Sequence, residues 1–301
     1  MKLVKLASIT KKITIAAVGA FLLVFLPMHM GLNLCIIRED GGEWYRNVCH
    51  FMGTNWIVKI FELVLLACCL LHIVVGVLLT IENYMARPVR YQVPSRTKTH
   101  FGSKYMIWTG GLVFCFLVLH FINFYFVKYD LVEGVYTVKT EKLQMHIQDR
   151  AMDLQKSFDE GKMSQEELSE KMMGLQMEYL SFFQLMQTGQ PADKLSRDGQ
   201  EIVNLDKKSL EAFAGKDFKD YEPDFYTMCN NLFKDRTYSL IYILALIVLG
   251  IHLFHAVNSI FQTFGLNHRK YNGAIEMFAT IYAILIPVGF AVVPFYVMFV
   301  R

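Results

Sequence analysis

Long apolar stretches without any charged residue are the feature that most constrains the fold of this chain. Four such runs exceed the roughly 18 residues that indicate a membrane-spanning helix; they cover 13–37, 105–127, 237–268 and 277–300. A fifth run, 63–81, is shorter but extends back to residue 56 across two charged residues. Hydrophobic residues make up 54% of the 301 positions, above the roughly 45–50% of a soluble domain. The sequence therefore predicts an all-α membrane protein with five transmembrane helices.

Charge between the apolar runs orients the predicted helices. The N-terminal tail and the loops after the second and fourth helices are basic, and basic loops stay in the cytoplasm. The basic residues of these two loops are Arg87, Arg90, Arg96, Lys98, Lys104, Arg269 and Lys270. The segment 128–236 is instead acidic, with 15 Lys and Arg against 21 Asp and Glu. We therefore expect the N-terminus in the cytoplasm and the C-terminus outside.

The chain is predicted to have three regions. Residues 1–130 contain the first three membrane helices, and residues 236–301 contain the last two. Between them, residues 131–235 have the composition of a soluble region. We expect this segment to be an exterior helical insertion between the third and fourth membrane helices.

Local patterns within the insertion indicate its helices. Ser164 and Glu167 have the spacing of a capping box, and apolar residues then recur at helical intervals. A further helix is expected over 140–159. The stretch "TGQPADKLSRDGQ", residues 188–200, predicts a linker because it is rich in turn-forming residues.

Histidines inside the membrane helices are the candidates for function. Five of the nine histidines fall there, namely His29, His72, His120, His252 and His255. Ionisable residues in hydrocarbon are costly and mark functional sites, although a single one can simply hydrogen-bond two helices. The arrangement of the whole set is therefore more informative than any one position.

Counting from the predicted helix edges places these histidines at two depths. His29 and His120 lie roughly 23 Å from the cytoplasmic edge, at ~1.5 Å per residue, whereas His72 and His255 lie nearer the cytoplasm. Four helices thus supply one histidine each, and the four histidines form two pairs. His252 lies three residues before His255 on the same helical face. Depth alone allows either of them to pair with His72.

Two histidines at one depth suit a planar porphyrin held by an axial imidazole on each side. A zinc site needs three or four converging ligands, and a proton relay would have only Glu62 as an acid within the membrane helices. The pattern predicts two stacked haems b, each with two histidine ligands. The alternative is a non-redox membrane protein, a transporter or a bare anchor, whose histidines hydrogen-bond helices together.

Five stretches of the sequence, in order, resemble those of a known family. They are "LVFLPMHMGLNL", "CHFMGTN", "LLHIVVGVLLTIENYMARPVRY", "MIWTGGLVFCFLVLHFINF" and "LGIHLFHAVNSIFQTFGLNHRKY". Outside about 131–222, the chain resembles the b558-type cytochrome b subunit of succinate dehydrogenase/fumarate reductase of Bacteroidetes-like bacteria. The resemblance implies a multi-pass protein of the bacterial inner membrane, with a periplasmic C-terminus.

The resemblance also implies a dihaem bundle formed by helices 1 to 4. Its distal haem b would be held by His29 and His120, and its proximal haem b by His72 and His255. The motif of the fourth helix implies the choice of His255 as the ligand, with the cofactor-binding candidate Asn258 following it.

The same motif leaves His252 beside the proximal haem. There it is a candidate for a hydrogen bond to a haem propionate or for proton transfer, or a histidine bonded to a neighbouring helix.

Partners and substrate follow from the resemblance as well. It implies a flavoprotein with covalent FAD and an iron–sulfur subunit on the cytoplasmic side, where the basic loops are a candidate dock. Menaquinone or menaquinol is expected to react near the distal haem, with Glu62 and His50 as candidate proton-transferring residues. The b-type subunit of a hydrogenase or formate dehydrogenase is the alternative within redox proteins.

Overall fold

The computed structural model describes residues 8–86, 105–188, 194–197 and 200–301. The loop residues Arg87, Arg90, Arg96, Lys98 and Lys104, predicted to be a cytoplasmic dock, lie outside these ranges. The orientation of the chain in the membrane stays a prediction.

Five helices of the described chain are long and apolar enough to cross a membrane. They are α1 (Ser8–Leu34), α3 (Trp56–Met85), α4 (Met106–Lys128), α9 (Arg236–Thr263) and α10 (Asn272–Val300). Their outward faces carry exposed apolar side chains such as Val24, Leu63 and Leu244, as expected of helices in lipid. The prediction of a multi-pass, mainly helical membrane protein is confirmed.

Shorter elements lie between the spans. The helices are α2 (Glu43–Thr54), α5 (Thr140–Asp159), α6 (Gln165–Thr188), α7 (Lys207–Ala214) and α8 (Phe225–Lys234). The strands are β1 (Val135–Lys139), β2 (Lys194–Arg197), β3 (Gln200–Asp206) and β4 (Tyr221–Pro223).

The chain forms two compact units. The first, which we call the helical unit, comprises Met1–Ile37, Phe51–Leu119 and Leu232–Arg301; the second, the mixed unit, comprises Arg38–His50 and His120–Asn231.

Within the helical unit, α1 packs against α3, α9 and α10, and α9 packs along α10. The last pair is close, since a methyl group added to Gly250 would lie 2.7 Å from the carbonyl oxygen of Ala283. Polar side chains cap the N-termini of two spans. Asn55 accepts from the backbone N–H of Ile57, and Asp235 accepts from that of Thr237.

The mixed unit contains an antiparallel sheet with strand order β2-β3-β1-β4. Val138 pairs with Val203 across β1 and β3, and these residues share a core with Leu143 on α5 and Phe182 on α6. The prediction of an entirely helical insertion is therefore corrected. Its two long helices lie where they were predicted, but part of the predicted linker forms β2 and begins β3. The strands are short, and pairing between distant segments stabilises them, which no local sequence pattern indicates.

Asp130, at the start of the insertion, forms hydrogen bonds with residues of the sheet and of α7. It has a left-handed backbone, with φ of 60°. Its carboxylate accepts hydrogen bonds from the hydroxyls of Tyr136 and Tyr221, both at 2.9 Å, and from the ammonium group of Lys207. Partial burial alone would raise the pKa of Asp130, but these donors outweigh it and hold the pKa below its ordinary 3.8.

We expect Asp130→Asn to destabilise the mixed unit at neutral pH and to have a shrinking effect in acid. Because the folded-state pKa is depressed, the carboxylate stabilises the fold above 3.8 and loses this contribution as pH falls through the folded value. Asparagine tolerates a left-handed backbone, so strain is not introduced. Thermal unfolding followed across pH would measure the difference. Glu133→Gln, at an exposed ion pair with Lys208, is the control; a pH-independent loss in Asp130→Asn would contradict the account.

Candidate functional site

His72 and His252 are neighbours within the helical unit. His72 lies on α3 and His252 on α9; their ring centres are 6.4 Å apart, with the ring planes at 75°. Two imidazoles that bind one metal ion from opposite sides, at about 2.0–2.1 Å each, hold their ring centres about 6–6.5 Å apart. The observed separation suits two ligands of a single metal ion.

Thr109, on α4, lies within hydrogen-bond distance of His252. The threonine hydroxyl donates to the carbonyl oxygen of Met106 at 3.1 Å and lies 3.4 Å from Nδ1 of His252. A hydroxyl has one proton to donate, so towards His252 it accepts, and Nδ1 of a neutral imidazole carries the proton. Nε2 then presents a lone pair, which is how metal-binding histidines are commonly oriented.

Nδ1 of His72 is a buried nitrogen that has no hydrogen-bond partner among the described residues. Leaving such a group unpaired costs roughly 1–3 kcal/mol. A role in holding a metal or cofactor accounts for this cost, since the bound group would supply the interaction that protein groups do not.

Two glycines border the same pair of rings. A methyl group added to Gly19 on α1 would lie 3.7 Å from Cε1 of His72, and one added to Gly110 on α4 would lie 3.5 Å from Cε1 of His252. Alanine would therefore touch each ring, and a larger side chain would press on it. The glycines leave space beside both imidazoles, and with the donor set of two histidines this fits a bis-histidine haem.

The structure places one histidine of α9 next to His72. The ring of His252 lies 6.4 Å from that of His72, and the choice of His255 as the ligand, implied by the resemblance, stays a prediction. His255 is half-buried one turn further along α9. Asn258 directs its amide to the carbonyl oxygen of Phe254, at 2.9 Å on its own helix.

His29 lies in the helical unit among aromatic and amide side chains. Its ring stacks on Phe25, with centres 5.2 Å apart and an angle of 18°, and lies 5.5 Å from the ring of Phe290. Asn33 Nδ2 donates to the carbonyl oxygen of His29 at 2.7 Å and lies 3.3 Å from Nδ1 of its ring. Asn33 was not among the predicted site residues, although its position one turn after His29 is visible in the sequence.

His120 belongs to the mixed unit, so its predicted pairing with His29 stays a prediction. It ends the regular α-helical part of α4 and precedes a π-helical turn at Phe121–Tyr125. Its ring lies 5.1 Å from that of Phe124. Such π-turns are rare in proteins, and those that occur are often found at functional sites.

The two candidate proton-transferring residues have different surroundings. Glu62 is half-buried on α3. His50, on α2, is bound through Nδ1 to both carboxylate oxygens of Glu222, at 2.7 and 2.8 Å. No local sequence pattern indicates Glu222 as the partner of His50, because Glu222 lies on β4, far from α2 in sequence.

Among the described residues, no group of three or more His, Cys, Asp or Glu side chains could hold a metal ion. We found no match between this chain and protein-family models, curated proteins or solved structures. The functional conclusion therefore depends on the site and on the sequence resemblance described above.

Proposed function

We propose that this chain is the membrane-anchor cytochrome b subunit of a succinate:quinone oxidoreductase, a succinate dehydrogenase/fumarate reductase of the bacterial inner membrane. It would carry electrons between an iron–sulfur subunit and menaquinone or menaquinol. The observation that carries the proposal is the 6.4 Å separation of the His72 and His252 rings in an apolar bundle. The sequence motifs along the membrane helices support a succinate:quinone oxidoreductase as the enzyme to which the subunit belongs.

His72 and His252 would hold the haem b nearer the cytoplasm, and His29 and His120 the one nearer the outer face. A haem with two histidine ligands supplies one-electron transfer without an open position for substrate. The chain's own part is to hold the imidazoles. Thr109 keeps the proton of His252 on Nδ1, and the apolar helices exclude water from the pair.

The remaining residues have roles at the two ends of this electron path. Arg269 and Lys270 are the described members of the basic cytoplasmic surface proposed to dock the iron–sulfur subunit and the FAD-containing flavoprotein. Glu62 and His50 are proposed to exchange protons with the quinone; Glu222 would hold His50 in one orientation.

The non-redox alternative explains the Thr109 contact as an ordinary hydrogen bond between helices. It does not account for the buried Nδ1 of His72, which has no hydrogen-bond partner among the described residues. The orphaned nitrogen therefore favours the haem proposal.

Purification of the chain with its native partners tests the choice of enzyme. We expect a flavoprotein with covalent FAD and an iron–sulfur protein to co-purify, and succinate to reduce the b-type absorbance. Co-purification of a nickel or molybdenum subunit instead would indicate a hydrogenase or a formate dehydrogenase, and would contradict the proposal.

Replacing Thr109 by valine should weaken haem binding at the pair formed by His72 and His252. Valine keeps the shape but removes the acceptor for Nδ1 of His252, and loss of such supporting bonds typically costs about 10–100-fold in affinity. Haem transfer to an excess of apomyoglobin would measure the loss. Thr80→Val is the matched control, because the Thr80 hydroxyl bonds only the carbonyl oxygen of Gly76 in its own helix, at 2.8 Å. Equal haem retention in the two variants would contradict this role.

A further inference from the structure

Two cysteines lie on neighbouring helices of the mixed unit. Arg46 on α2 pairs with Asp224 at the start of α8, at 3.1 Å, and the ring of Tyr45 lies 6.4 Å from that of Tyr226. The two helices therefore contact each other near their N-terminal ends. Cys49 lies one turn after Tyr45, and Cys229 lies three residues after Tyr226, so each cysteine follows a residue of this contact by about one turn.

A shared partner, the hydroxyl of Tyr45, indicates that the two thiols lie near each other. The hydroxyl of Tyr45 interacts with the thiols of both Cys49 and Cys229. Two sulfur atoms that bond one oxygen atom lie within reach of each other by side-chain rotation. Tyr45 and Cys229 are buried, with 6% and 4% exposure, and Cys49 is half-buried.

The predicted membrane topology indicates the redox environment of Cys49 and Cys229. The acidic segment 128–236 and the first loop are expected outside the cytoplasm, where disulfides form and persist. Cys68, Cys69 and Cys115 lie instead within the spans α3 and α4.

We propose that Cys49 and Cys229 form a disulfide that joins α2 to α8. The Cys49 thiolate attacks the disulfide of an exported dithiol–disulfide oxidant, and one oxidant sulfur leaves as a thiolate. The Cys229 sulfur then attacks the mixed disulfide, which forms the Cys49–Cys229 bond and releases the oxidant as a dithiol. The two cysteines lose two protons and two electrons, and the oxidant gains the electrons.

The burial of Cys229 determines when the disulfide can form. Burial, together with the neighbouring Cys49, raises the pKa of the Cys229 thiol to about 12, and a protonated thiol is a poor nucleophile. The bond is therefore expected to form while the unit folds, before α8 buries Cys229.

Differential thiol labelling of the full chain from native membranes tests the proposal. Free thiols are alkylated under denaturing conditions, disulfides are then reduced, and a heavy form of the same reagent labels the released thiols before peptide mass spectrometry. We expect Cys49 and Cys229 to carry the heavy label, and Cys68, Cys69 and Cys115 the light one. A non-reducing digest should also give one cross-linked peptide from a chain of monomer mobility.

Two variants complete the test. In Cys229→Ser, Cys49 should move to the light label, whereas Cys115→Ser should leave the heavy label on Cys49 and Cys229. Light label on both Cys49 and Cys229 of the wild type would overturn the proposal, even if Cys229→Ser fails to accumulate. Haem content is not part of this readout, so the haem proposal stands or fails separately.

Discussion

Replacement of His252 by alanine is expected to remove one of two haems from the purified chain, whereas His255→Ala is expected to keep both. The reason is the contact of the His252 ring with His72, at 6.4 Å between ring centres, together with the hydrogen bond that directs its Nδ1 to Thr109. The amount of haem b per chain and the height of the α-band should both fall by half. His72→Ala should give the same loss.

Combinations of these variants distinguish one shared site from two. His72 and His252 are proposed to hold the same haem, so the double variant should lose no more than either single variant. Adding His29→Ala should remove the rest. Loss of a haem in His255→Ala with full retention in His252→Ala would restore the assignment that the resemblance implied.

Breaking the ion pair of Arg46 and Asp224 should give the largest loss of stability in the mixed unit. Arg46 Nε and Nη2 donate to the two oxygens of Asp224, each at 3.1 Å, and the side chains are 6% and 0% exposed. Asp224 also accepts from the Thr227 hydroxyl at 2.7 Å, and Arg46 donates to the carbonyl oxygen of Gly41 at 2.9 Å. Removing one partner of a buried pair leaves an uncompensated charge and typically costs about 3–5 kcal/mol.

Thermal unfolding of Arg46→Leu and of Arg38→Leu would measure this effect with a matched control. Arg38 pairs with Asp40 at 3.3 Å, but its side chain is 61% exposed, so its loss should cost about 0–1 kcal/mol. The double variant Arg46→Leu/Asp224→Leu should recover part of the loss, because neither charge is then left buried. Equal stability of the two single variants would show that the buried pair contributes no more than an exposed one.

Local signals in the sequence predicted the helices well. The five spans follow from apolar length, which depends on no distant contact. The capping box at the start of α6 is present as predicted, since Ser164 and Glu167 exchange two hydrogen bonds of 3.2 Å. The strands were missed because β1 is stabilised by β3 and β4, which lie far from it in sequence.

The candidate site was predictable in part. Depth counting indicated that α3 and α9 each bring one histidine to the cytoplasmic level, and His72 and His252 are in contact. Depth counting does not distinguish His252 from His255. The two share a helical face, and their depths differ by less than the uncertainty of the helix edges. The contact between His72 and His252 depends on side-chain packing between α3 and α9, which no local pattern indicates. The role of Thr109 follows from the same packing and has no signal in the sequence of α4 alone.

The most direct test of the central claim is the reduced-minus-oxidised spectrum of the purified wild-type chain, with haem counted as the pyridine haemochrome. The account predicts a b-type α-band and two haems b per chain. A chain that is pure and folded but shows no b-type α-band would contradict the account, and would leave His72 and His252 as histidines that only connect helices.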